Sequence, residues 1–198
     1  MTVETPRRAP LGEWATRLGE LAPALSIAEQ PFLTHLSLRV RSRAPMAALG
    51  EVLGTGLPRQ PCTFASGTGR AGAVDVAWLG PDEYLVMAAP GIQPELESLL
   101  RQALDGTASA VVDVSAQRTT LSLAGPAVRD VLAHGCAIDL HPRAAPAGTC
   151  VQTLLARTGI TLLVRADDEF TLLVRQSFAP YLAAWLVDAA AEYRTERT

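Results

Sequence analysis

The sequence predicts an α+β fold, and three observations carry that expectation: apolar stripes at helical spacing, strand-like runs between them, and the same order of elements appearing twice. At 198 residues the chain can bury most of its apolar surface. The clearest helix is the last. Phe178, Tyr181, Leu182, Trp185, Leu186 and Ala189 fall at i, i+3, i+4, i+7, i+8 and i+11, one continuous stripe. Ser177 is placed to cap it, with Pro180 in the first turn, where a missing N–H costs nothing. Leu96, Leu99, Leu100, Ala103 and Leu104 form a second stripe, and shorter helical patterns run through Leu11 to Leu21, Met46 to Leu53 and Val128 to Leu132.

Strand signals separate these. Leu36, Leu38 and Val40 alternate with polar residues, as do Leu121 and Leu123, while Val74, Val76 and Trp78 also alternate. Tyr84–Met87, Val111–Val114, Leu162–Val164 and Leu172–Val174 are unbroken apolar runs, which suits strands covered on both faces. The first half then reads strand 36–40, helix 44–53, strands 74–78 and 84–87, helix 94–104. The second reads strand 119–123, helix 127–134, strands 151–155, 160–164 and 170–174, helix 178–191. Asp82-Glu83-Tyr84 is echoed by Asp168-Glu169-Phe170. Two β-α-β-β-α units predict a single duplicated domain over residues 10–192, with halves 10–106 and 107–192, antiparallel or mixed sheets, and flexible ends at 1–9 and 193–198.

Composition narrows the function. The net charge is −3, and all 17 basic residues are scattered arginines, so neither nucleic acid nor an anionic membrane finds an electrostatic footprint. Without lysine there is no Schiff-base or phosphate-loop lysine. Residues Met1 to Trp14 contain no apolar signal-peptide core, and no apolar run is long enough to span a bilayer. Three cysteines, Cys62, Cys136 and Cys150, form an odd and sparse set that suits reduced thiols in a cytoplasmic protein.

Four motifs bear on chemistry. Gly67-Thr68-Gly69-Arg70-Ala71-Gly72 matches G-x-G-x-x-G, but a strand rather than a helix follows, so it reads as a flexible loop before a hairpin. His134, Cys136, His141 and Cys150 could ligate zinc, yet their spacing is not that of a structural site, and the cysteines read as small buried residues. Ser115 and Asp113 end a strand without a nucleophile elbow; Asp113 and Arg118, flanking a short turn, are expected to pair with each other. Asp167-Asp168-Glu169 reads as turn chemistry. Catalytic, cofactor-binding and metal-binding residues are therefore expected to be absent from this chain.

The segment Asp139 to Gly148 holds two prolines, a glycine and three alanines, which rules out a regular helix or central strand. His141, Pro142 and Arg143, with Ala144 to Gly148, are expected to form an exposed loop. Two readings stay open: a surface that docks on a partner, or an ordinary connection in which His141 caps a nearby backbone group.

Leu79-Gly80-Pro81-Asp82-Glu83-Tyr84-Leu85-Val86, Val111 to Arg118, Gly135 to Arg143, and Leu173 to Phe178 with Trp185 to Ala189 together resemble the gamma subunit of bacterial heterotetrameric sarcosine oxidase. The resemblance covers about Pro10 to Ala190. It departs at Ala144-Ala145, where the family tends to carry an aromatic, and at Tyr84, where it often has Trp. It implies a fold like the folate-binding module of glycine-cleavage aminomethyltransferases and a non-catalytic role. The implied partners are alpha, beta and delta subunits, in which FAD, FMN, NAD, zinc and tetrahydrofolate would be held. The implied reaction is oxidative demethylation of sarcosine to glycine with hydrogen peroxide, the one-carbon unit leaving as methylene-tetrahydrofolate. The alternative is a free-standing folate-binding protein or aminomethyltransferase-like enzyme, whose K-G-C-[YF]-x-G-Q-E hallmark survives here only as Gly135-Cys136. A small-molecule sensor domain is a third reading.

Overall fold

The computed structural model describes residues 7–41 and 45–193. A 3-10 turn at Gly12–Trp14 leads into α1 (Ala15–Gly19), then β1 (Ser26–Gln30), β2 (Thr34–Val40), α2 (Met46–Leu53), β3 (Phe64–Gly69), β4 (Gly72–Gly80), β5 (Glu83–Ala88) and α3 (Gln93–Ala103). The chain continues through β6 (Ser109–Asp113), β7 (Arg118–Ala124), α4 (Val128–Ala133), β8 (Cys150–Leu155), β9 (Thr158–Ala166), β10 (Glu169–Arg175) and α5 (Ala179–Ala189). Of the expected flexible ends, residues 1–6 and 194–198 lie outside the described residues, as does Ala44 at the start of the second expected helix.

The strands form two five-stranded sheets, ordered β1-β7-β10-β9-β8 and β6-β2-β5-β4-β3, and every pairing is antiparallel. The two orders are the same pattern, each half contributing strand, strand, helix, three strands, helix. Each half also sends its first strand into the other sheet: β1 pairs with β7, and β6 with β2. Leu36 faces Val86 in one sheet as Leu121 faces Leu172 in the other. By that register His35 corresponds to Thr120, and their side chains touch, Nε2 to Oγ1 at 3.2 Å. Equivalent positions can meet only on the axis that relates them, so the local twofold passes through this pair.

Period-two alternation divides the strand residues between layers. Tyr84 and Val86 pack under α2 and α3, while Leu85 and Met87 turn inward to the opposite sheet. Leu172 and Val174 pack under α4 and α5, and Leu173 turns inward. The result is helices, sheet, sheet, helices, with Ala77, Leu85, Met87, Cys150, Leu163 and Leu173 buried between the sheets. Each large apolar side chain so buried stabilises the fold by about 2 kcal/mol.

Several local expectations are corrected. Of the expected α5 stripe, Leu182 and Leu186 are buried and Trp185 and Ala189 pack partly buried against the same core, while the buried face extends to Ala179, Ala183, Val187 and Ala190. Alanines allow the helix to lie close on the sheet, and the larger Phe178 and Tyr181 are left at the rim, exposed. A 3-10 turn at Gln176–Phe178 leads into α5, so Ser177 does not cap it. The run Val111–Val114 is not covered on both faces, because β6 is an edge strand and Val112 stays 52% exposed. β1 had no sequence signal: of Ser26–Gln30 only Ile27 is buried.

The Gly67–Gly72 motif is a hairpin rather than a loop, β3 turning into β4 with Gly69 facing Gly72. Its glycines serve close packing against the end of α2. A Cβ on Gly67 would stand 2.5 Å from the Gly54 carbonyl oxygen, and one on Gly69 2.2 Å from that of Val52. Both obstacles are backbone, which cannot swing aside. Gly69→Ala is therefore expected to destabilise the chain by about 3 kcal/mol, read as a lowered urea midpoint; an unchanged midpoint would show that the hairpin can move off α2.

Candidate functional site

Packing two sheets face to face places polar strand residues between them as well as apolar ones. Arg165 of β9 reaches across to Asp75 of β4 with two parallel bonds, Nη1 to Oδ1 at 2.9 Å and Nη2 to Oδ2 at 2.6 Å. Its Nε donates to Thr171 Oγ1 at 2.9 Å, and the guanidinium lies 4.8 Å above the Phe64 ring. This fork joins the two sheets, and all of its charge is matched internally.

His35 is buried beside the ends of β6 and β7, yet the groups around it do not form a catalytic triad. Ser115 Oγ accepts from the backbone N–H of His35 at 3.0 Å, not from its ring, and donates to Asp113 Oδ1. Asp113 Oδ1 also accepts from the Ser115 N–H at 2.9 Å. The expected Asp113–Arg118 pair is not formed: no ion pair joins them among the described residues. Asp113 is occupied by the turn it opens, while Arg118 stands directly opposite Arg175 in the β7–β10 ladder. Burial, with help from the neighbouring Arg118, holds the His35 pKa down to about 4 against a smaller opposing pull from Asp113. The ring is thus neutral near pH 7, its Nδ1 buried without a partner among the described residues.

The four possible metal ligands do not converge. His134 Nε2 meets Glu192 Oε1 at 3.1 Å, and Cys150 is buried between the sheets. His141 Nδ1 accepts from the Arg143 N–H at 3.2 Å. Burial raises the Cys136 thiol and pushes that of Cys150 up to about 12, which keeps both protonated and poor ligands. Among the described residues no group of three or more His, Cys, Asp or Glu side chains is arranged to hold a metal ion.

The segment 139–148 is exposed at His141, Pro142, Arg143 and Ala144 and pinned at Leu140 and Ala145, which are buried. Asp139 Oδ1 accepts from the His141 N–H at 2.8 Å, and the His141 carbonyl accepts from the Ala145 N–H at 2.9 Å. Arg129 of α4 completes the mount: its guanidinium donates to the carbonyls of Leu140 and Ala145 and sits 5.0 Å over Phe170. Sequence reading missed Arg129, since nothing in a helical arginine signals a loop eleven residues on. His141 is exposed and its Nδ1 caps the Arg143 N–H, and Arg143 is itself exposed.

His35 gives a pH dependence. An unfolded histidine takes up its proton near pH 6.5, whereas the buried ring resists until about 4. The unfolded state therefore binds the extra proton between those values, and stability falls as pH drops through that window. The loss attributable to His35 is about 3 kcal/mol in all, and it is absent above pH 6.5. Urea midpoints at pH 4.5 and pH 7 should differ less in His35→Gln than in the parent; equal differences would remove His35 as the cause.

The chain is 37% identical over 193 residues to a sarcosine oxidase subunit gamma of Corynebacterium sp. strain P-1, covering 96% of this chain and 93% of that one. It is 38% identical over 190 residues to the same subunit of an Arthrobacter species, covering 94% and 91%. Among solved structures, the heterotetrameric sarcosine oxidase from Corynebacterium sp. U-96 superposes with a TM-score of 0.83 at 32% identity, covering 97% of this chain and 98% of the matched chain. Aminomethyltransferase T of the glycine cleavage system from Bartonella henselae shares the fold alone, with a TM-score of 0.66 at 15% identity over 90% of this chain and 49% of that one. With residues 41–192 also matching the model of that family, the chain belongs to the sarcosine oxidase, gamma subunit family.

Proposed function

We propose that this chain is the non-catalytic gamma subunit of a heterotetrameric sarcosine oxidase, which demethylates sarcosine oxidatively to glycine with release of hydrogen peroxide. The observation that carries this is the end-to-end likeness to subunits bearing that name, at 37% identity over 96% of the chain. The arrangement of side chains supports it: Ser115, Asp113, His134 and Asp75 are each engaged by neighbours within the chain. Alpha, beta and delta subunits are its partners in this reading, and FAD, FMN, NAD, zinc and tetrahydrofolate belong to them. A free-standing folate enzyme is not favoured, since its fold neighbour is similar at only 15% identity. No helix among the described residues is long and apolar enough to cross a membrane, which accords with a cytoplasmic complex.

Within that complex the His141-Pro142-Arg143 loop docks on a partner. Pro142 stiffens the backbone before contact, Arg143 offers a planar fork, and Arg129 holds the base of the loop, so little ordering entropy remains to be lost on binding. Co-expression with the other three subunits should yield a stoichiometric complex with sarcosine-dependent peroxide formation, while the purified chain alone shows neither flavin absorbance nor peroxide. A chain that remains single in the presence of all three, or that turns over sarcosine by itself, refutes the subunit role.

The loop is tested separately. His141→Ala with Arg143→Ala should leave the urea midpoint of the lone chain within about 0.5 kcal/mol of the parent and weaken co-purification about tenfold. Loss of folding without a separate assembly defect would make the loop a structural connection only.

A further inference from the structure

We propose that a second surface, the groove between Arg118 and Arg175, receives a carboxylate-bearing segment of a partner subunit; the proposal rests on the subunit reading above. The groove has a volume of about 440 Å³ and lies where β7, β8, β9 and β10 leave one end of the inter-sheet face uncovered. Gln152, Leu154, Thr161 and Leu173 line it beside the two arginines. Ala137, at the approach to the 139–148 loop, forms another wall, so the groove adjoins the loop already assigned to docking.

Charge identifies the occupant. Arg118 and Arg175 are direct cross-strand partners, and like charges in that relation destabilise a sheet. Among the described residues neither guanidinium makes a hydrogen bond or an ion pair, although Arg118 is half-buried. Glu83 is an acid whose charge reaches Arg118, but its carboxylate is bound to Arg39 at 2.6 Å. A half-buried fork and an exposed one line a groove without a carboxylate and leave room for one from outside, and the bidentate fork suits the carboxylate that a protein partner carries on Asp or Glu. The apolar component is Leu154, 52% exposed on the same wall, which fits an apolar neighbour of the acidic residue.

The duplication supplies an internal control. The equivalent groove in the other half, about 530 Å³, is lined by Leu33, Ser66, Thr68, Asp75 and Met87. By register Leu33 stands where Arg118 does, and Ala89 where Arg175 does. The fold is thus built without this arginine pair in one half and with it in the other. A pair that burdens the sheet and is not required by the architecture is explained by what it binds.

The experiment uses the whole complex, with the chain carrying Arg118→Gln and Arg175→Gln together and, because Arg118 is half-buried, Arg175→Glu alone at the exposed position. Affinity for the other three subunits is measured at low and high salt, with urea midpoints of each lone chain. The double variant should be at least as stable as the parent yet bind at least tenfold more weakly at low salt, with a shallower salt dependence; Arg175→Glu should bind more weakly still. Assembly of both variants with parental affinity and salt dependence overturns the groove proposal and leaves the subunit role standing. A parent chain that recruits no subunit at all overturns the subunit role, and this proposal with it.

Discussion

The exchange of β1 and β6 between the two sheets is the constraint on which the architecture depends. A β-α-β-β-α unit alone would leave β2 or β7 as an open edge, a row of unpaired donors and acceptors. Each half closes the other's edge instead: Ser26–Gln30 covers β7, and Ser109–Asp113 covers β2. The chain cannot then be parted into two self-sufficient halves, and its twofold axis is fixed close to the crossing points. His35 and Thr120 meet on that axis because β2 and β7 are the strands that accept the exchange.

Once interlocked, the sheets must face one another, and the layer between them has mixed chemistry. Leu85, Met87, Leu163 and Leu173 supply apolar contact, while Thr161, Thr171 and the Arg165–Asp75 fork lie in the same layer. The fork joins β9 to β4, so it makes one inter-sheet geometry better than its neighbours, a specificity that apolar contact alone gives less sharply. Thr171 and Asp75 are both engaged by Arg165 in that layer, whereas the His35 Nδ1 is buried there without a partner among the described residues.

The two halves share a plan and differ in what they place on it. Where one half has Leu33 and Asp75, the other has Arg118 and Thr161 at the corresponding positions. The connection after α4 is also elaborated into the 139–148 loop, mounted on Arg129. Both departures lie in the second half and adjoin through Ala137. The shared plan is a common frame, and the residues that differ between the halves give each a distinct face.

Local sequence determined most of the elements, because hydrophobic period is a property of neighbours in the chain. The central strands β5, β9 and β10 and the helix α3 lay where their apolar patterns put them. The echo of Asp82-Glu83-Tyr84 in Asp168-Glu169-Phe170 gave the duplication, and the proline-rich stretch gave an exposed loop at His141. Tertiary structure decided what depends on partners distant in the chain. β1 is a strand only because β7 offers it an edge, and α5 buries Ala179 and Ala183 while Phe178 and Tyr181 stay exposed, because the sheet beneath sets which face is covered. Asp113 lost its expected partner to Ser115, and Arg118 gained Arg175, since the β7–β10 register sets neighbours that spacing along the chain does not encode. Arg129 became the mount of the loop only when α4 was laid against Leu140 and Ala145.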